Sequence, residues 1–103
     1  RGAHINLSVY QKEIGSRIDV FIELDNETSG ESTILEFFSQ DRHGLLYDVS
    51  NLFYENGFNI ISAKINTESG IAQDIFYIQH EGRKVNGLKA TELLASLWKT
   101  LKS

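Results

Sequence analysis

The chain has 103 residues, with 10 Lys and Arg against 14 Asp and Glu, giving a formal net charge of −4. A hydrophobic content of 41% supports a folded core and excludes a disordered chain, and the length fits one domain. Absence of Cys excludes disulfides, thiolate metal sites and thiol nucleophiles, and the acidic balance makes nucleic-acid phosphates a poor default partner.

His4, His43 and His80 are scattered without ligand spacing, so no metal and no other cofactor is expected. No apolar run approaches the ~18–20 residues that span a bilayer, so no membrane partner is expected either. The lack of Cys fits a cytoplasmic protein. The sequence also lacks Met, so Arg1 reads as a cut end and the chain as a fragment of a larger protein.

In chain order, residues 1–16 form a lead-in or linker. Ile5, Leu7 and Val9 alternate with polar residues there, a signal for a short edge strand that Gly15-Ser16 breaks. Residues 17–25 are a clearer strand, with Ile18, Val20, Ile22 and Leu24 on one face and Arg17, Asp19, Phe21, Glu23 and Asp25 on the other. A polar, turn-rich stretch, 25–32, leads into a strand over 33–40. Its apolar residues fall on both faces, so it is predicted to be central, with Glu36 on the less buried face beside Ile34 and Phe38.

A helix follows, with Leu45, Val49, Leu52 and Phe53 as its apolar stripe. Asp41 is its predicted N-cap, worth about 1 kcal/mol, and Asn56-Gly57 its stop. Gly44 then falls in the first turn, where its propensity cost suggests a close approach to the backbone. A third strand is expected over 58–68, with Ile61, Ala63 and Ile65 inward and Ile60, Ser62, Lys64 and Asn66 outward. Ser69-Gly70 turns the chain into a fourth, central strand over 71–80. After the loop at 81–84, a second helix runs from about Leu88 to Leu101 on a stripe of Ala90, Leu93, Leu94, Leu97 and Leu101, with Trp98 beside it.

This order predicts an α+β, ferredoxin-like sandwich: a four-stranded antiparallel sheet with two helices on one face. Such a fold has one more strand after the second helix. The strand at 17–25, entering 33–40 as a hairpin, supplies that place from the N-terminal side.

The stretch Asp41-Arg42-His43-Gly44-Leu45-Leu46 resembles the D-R-P-G-L-L signature of ACT domains, which are small regulatory modules. Leu24–Ser29, Thr33–Glu36, Asn59–Ile65 and Asp74–Ile78 extend the likeness over about Arg17 to Leu101, so residues 17–103 are assigned to this domain. The full pattern is similar to the C-terminal ACT modules of bifunctional uridylyltransferase/uridylyl-removing enzymes. Those enzymes modify the nitrogen-signalling protein P-II. His43 departs from the family's usual Pro.

The resemblance implies an amino-acid site, with glutamine as ligand, at an interface between two modules. The residues assigned to it are Asp41, Arg42, His43, Gly44, Leu45, Asn59 and Ile60. A helix N-terminus suits the ligand carboxylate, and Asn59, at the start of the next strand, is expected to face the same region and offer amide donors and acceptors. Spacing alone leaves a blander reading open, in which Asp41 caps, Gly44 packs and Asn59 satisfies a turn. The resemblance also implies a nucleotidyltransferase as parent chain, with P-II as its partner. No catalytic residue is expected here, since neither a G-x-S-x-G nor a G-x-x-x-x-G-K element occurs.

Two other readings belong to different classes. One is a ligand-free dimerisation or interaction module, a homodimer or a tandem pair, in which Phe21, Ile34 and Phe38 meet the partner. The other is an RNA-binding sheet displaying Phe37, Phe38, Phe76 and Tyr77. It lacks the basic, Gly-containing motif that such a sheet carries on its central strand.

Overall fold

The computed structural model describes residues 6–13 and 18–102, and side chains from Val20 onward. The elements are β1 (Asn6–Glu13), β2 (Ile18–Asp25), β3 (Thr33–Gln40), α1 (Leu45–Glu55), β4 (Phe58–Lys64), β5 (Thr67–Glu68), β6 (Ile71–His80) and α2 (Gly87–Lys102). The sheet is antiparallel in the order β1-β2-β3-β6-β4, with the two-residue β5 also on β6. This is the expected ferredoxin-like arrangement, and β2 occupies the place of a last strand beside β3. Ile5, Arg17 and the Gly15-Ser16 break lie outside the described residues. The lead-in is more than a short edge: all eight residues of β1 pair with β2, from Asn6 opposite Asp25 to Glu13 opposite Ile18.

Period-2 alternation decides which face is buried. Val20, Ile22 and Leu24 of β2, Leu35 and Phe37 of β3, and Ala72, Phe76 and Ile78 of β6 are buried. Against them pack Leu45, Val49 and Phe53 of α1 and the whole predicted α2 stripe, Ala90, Leu93, Leu94, Leu97 and Leu101. Each such burial of a large side chain contributes about 1.5–3 kcal/mol of transfer free energy. Phe76 joins the layers, stacked on Phe37 at 6.1 Å and edge-on to Phe53 at 5.1 Å between ring centroids. Phe37 and Phe76 are therefore closed off from any nucleic-acid base. Trp98 is partly buried against the core, and the Lys102 ammonium lies 5.2 Å from its ring centre.

The strand predicted over 58–68 is corrected in two respects. It breaks into β4 and β5, and Ile61 is a bulge: Ile60 pairs with Ile78, and Ser62 with Tyr77. The extra residue shifts the alternation, so Ile60 shares the helix side with Ile78, and Ala63 shares it with Phe76. Only Phe58 is buried, because β4 is an edge strand and the helices cover no more than its start; Ile60, Ile61 and Ile65 are 40–55% exposed.

A polar knot closes the other end of the sheet. The Thr33 hydroxyl donates to Asn26 Oδ1 and accepts the Val85 N–H at 2.8 Å, while Asn26 Nδ2 donates to the Val85 carbonyl at 2.8 Å. Lys84 Nζ adds a 2.8 Å bond to the Asn26 carbonyl. Asn26 and Thr33 are buried, so the stretch 25–32 is solvated only in part.

Candidate functional site

The loop between β3 and α1 is held at both ends by backbone bonds. The Asp41 N–H donates to the Gly70 carbonyl at 2.8 Å, and the Leu45 N–H to the Arg42 carbonyl at 3.2 Å. Asp41 is not the N-cap. The helix begins after Gly44, which has φ 80° and ψ 1°, and no side chain caps it. This backbone conformation strains any residue with a Cβ, which explains the glycine. A Cβ there would meet nothing within 4 Å, so the space in front of Gly44 is open. The Gly44 carbonyl accepts the Asp48 N–H at 2.9 Å. The amides of Leu46 and Tyr47 belong to the first turn, which a helix leaves without internal acceptors, and they present a partial positive charge.

Of the other residues assigned here, Leu45 is buried, so only its backbone faces the loop. His43 and Asp41 are exposed. Arg42 is committed elsewhere. Its Nη1 pairs with the Asp48 carboxylate at 2.9 Å and reaches the His43 carbonyl at 3.3 Å. Its Nη2 donates to the Thr100 carbonyl in the last turn of α2 at 3.1 Å. Arg42 thus ties the loop to both helices, and it borders an open groove of about 250 Å³ with Asp48, Asn51, Leu52, Glu55 and Thr100. That groove lies between the helices and shares only Arg42 with the predicted mouth.

Asn59 and Ile60 are not brought to this loop. Gln40, just before it, pairs with Ile71, whereas Asn59 pairs with Gln79. Those partners are eight residues apart on β6, roughly 25 Å at the rise of a strand. The reason is topological: α1 carries the chain back along the sheet, so β4 starts at the end where β3 began.

Asp74 is the buried carboxylate that sequence reasoning missed. It lies on the helix side of β6 between Ala72 and Phe76, 2% exposed, and accepts the Asn66 N–H at 3.1 Å. Its position between two buried residues in strict alternation was the available signal. Burial pushes its pKa above the usual carboxylate value; the Asn66 bond opposes this, and the nearby Asp41 charge adds to it. The folded protein therefore holds the Asp74 proton more tightly than the unfolded chain, and stability should fall as pH rises from the usual carboxylate range through the raised value. Denaturant midpoints measured against pH should show this decline in the wild type and lose it in Asp74→Asn, which keeps an acceptor for Asn66.

No group of His, Asp or Glu side chains among the described residues could hold a metal ion, and no described helix is long and apolar enough to cross a membrane.

The sequence profile of the ACT domain matches residues 33–98. A bifunctional uridylyltransferase/uridylyl-removing enzyme from Caulobacter vibrioides is 37% identical over 74% of this chain and 9% of its own length. One from Azospirillum brasilense is 40% identical over 66% of this chain and 7% of its own length. An ACT domain-containing protein, ACR6, from Arabidopsis thaliana is 35% identical over 75% of this chain and 17% of its own length. The chain thus spans less than a fifth of these curated relatives. No solved structure matches it.

Proposed function

The chain belongs to the ACT domain family, and on that premise we propose that it is a regulatory module sensing a small amino acid, with glutamine as the ligand. The parent chain on this reading is a uridylyltransferase/uridylyl-removing enzyme acting on P-II in the cytoplasm. The observation that carries the proposal is the open, left-handed turn at Gly44, directly before the uncapped first turn of α1. A ligand carboxylate binds the amides of that turn. The Asp41 carboxylate, free of any capping role, faces the ligand ammonium. His43 lines the rim, and Arg42 and the Leu45 backbone hold the loop's shape. Within one chain the site is this loop alone; Asn59 and Ile60 join it only from a second module. Regulation requires the ligand to bind the two states of the parent enzyme unequally, so that binding shifts it between adding and removing uridylyl groups.

Thermal melts with a panel of amino acids test this reading. Glutamine at ten times its Kd stabilises by about 1.4 kcal/mol, which raises Tm by roughly 5–10 °C in a domain of this size. Gly44→Asn keeps the left-handed backbone, which Asn tolerates, and sets a side chain in the open space, so it should lose the shift. Asp41→Ala should melt like the wild type without ligand, because it removes no cap, and should bind more weakly. No shift with any amino acid would sink the proposal.

A further inference from the structure

The sheet face opposite the helices carries a charge pattern that one chain leaves unresolved. The register sets Glu23, Glu36, Ile75 and Lys64 in a single row across β2, β3, β6 and β4. Glu23 and Glu36 are directly opposite each other, an arrangement that costs stability in a sheet. Lys64 stands at the other end of the row, exposed, with no ion pair among the described residues. The neighbouring rows are Phe21-Phe38-Gln73 and Asp25-Ile34-Tyr77-Ser62. Phe21 and Phe38 meet edge to face at 5.9 Å, and Phe21, Ile34, Phe38, Ile75 and Tyr77 are all half-buried. Aromatic and aliphatic surface therefore flanks a row that runs from Ser8 of β1 through the two glutamates of β2 and β3 to the lysine of β4.

We propose that this face docks a second copy of the chain, sheet against sheet, about a two-fold axis running parallel to the strands between β3 and β6. That operation maps the four positions from Glu23 to Lys64 onto themselves in reverse and leaves β1 of each copy beyond the edge strand β4 of the other. Lys64 of each copy then lies over Glu23 of the other and beside Glu36, while Ile34 lies over the other copy's Tyr77. A two-fold running across the strands at the same row sets Glu36 over its own symmetry mate instead, which like charge disfavours. Facing sheets stand roughly 10 Å apart, a gap that a lysine and a glutamate side chain bridge together. The pairing keeps every residue at its own height along the strands, so Asn59 stays far from the other copy's Gly44. The dimer accordingly does not complete the loop site, and it stands or falls separately from amino-acid binding.

The chain has no Cys, which makes the register directly testable. Glu23→Cys and Lys64→Cys are prepared separately, mixed, and treated with a bismaleimide spanning roughly 10 Å, matched to the inter-sheet gap. The mixture should give a covalent heterodimer and each variant alone should not, since identical positions lie farther apart across the axis. In sedimentation velocity the wild type should dimerise. Lys64→Glu should weaken association about tenfold or more, and Glu23→Lys combined with Lys64→Glu should restore it, with thermal melts confirming that each variant is folded. A wild type that stays monomeric at high micromolar concentration overturns the proposal, whether or not the face binds another protein. Equal cross-linking of the single variants, or a Lys64→Glu dimer as tight as the wild type, overturns it too.

Discussion

Removing residues 1–25 is expected to abolish the cooperative thermal transition. The deletion takes away Val20, Ile22 and Leu24, each 0–1% exposed and packed beneath the helices. Their burial is worth about 1.5–3 kcal/mol apiece, and their sum is comparable with the whole stability of a small domain, about 5–15 kcal/mol. The loss is more than additive, because β3 becomes an open edge along the positions from Ile34 to Phe38 that pair with β2. The helix α2, which packs against β2, loses its floor. Removal of residues 1–13 alone strips only the outer strand and should leave a sharp, shifted melt. Calorimetry distinguishes the two deletions: a sharp transition in the longer one would show that β2 is an accessory rather than part of the core.

The second large effect is expected at Phe53. Its ring is fully buried, edge-on to Phe76 at 5.1 Å and to Phe58 at 6.4 Å between centroids. It is the place where α1, β6 and the start of β4 meet, so the neighbouring side chains cannot collapse into the gap without moving an element. Phe53→Ala should cost about 3–5 kcal/mol, a fall in Tm of roughly 15–30 °C. The adjacent Tyr54 is 81% exposed, and Tyr54→Ala should stay within about 0.5 kcal/mol. Urea denaturation of the pair measures the difference. A loss at Phe53 no larger than that at Tyr54 would contradict the packing described.

The layers of the fold are legible because apolar periodicity is strong where the sheet is covered. Alternation along 20–24 and 35–37 names the buried face, and the α2 stripe holds at every position. The need for a strand beside β3 follows from the order of elements along the chain. Legibility fails where geometry depends on a single residue. Nothing in the composition of Asp41–Leu45 distinguishes a glycine inside a helical turn from one in a left-handed turn before it, so sequence reasoning sets the cap three residues too early. The Ile61 bulge leaves no local mark, since isoleucines stand at both 60 and 61. The distance of Asn59 from the loop within one chain has another origin. The start of the strand after α1 reads as facing the loop, although the direction of α1 already sends β4 to the other end of the sheet. Arg42 is assigned to the site only through the D-R-x-G-L-L likeness. Its side-chain partners within the fold, Asp48 and the Thr100 carbonyl, include a residue 58 positions away that no local pattern connects to it.

The Thr33 hydroxyl has a consequence for how sequences of this shape can drift. It donates a hydrogen bond to Asn26 Oδ1 and accepts one from the Val85 amide, so it serves as both donor and acceptor inside the protein. Valine matches its shape, yet valine at 33 orphans the buried Val85 amide, at a cost of about 1–3 kcal/mol, and takes one donor away from the Asn26 side chain. An apolar residue at 26 leaves that amide unsatisfied and also removes the donor to the Val85 carbonyl, and neither backbone group can be mutated away. Positions 26 and 33 therefore form a ratchet. Single steps away from the pair go downhill in stability, and a viable neighbouring sequence must either keep a hydroxyl at 33 or rebuild the connection from β6 to α2.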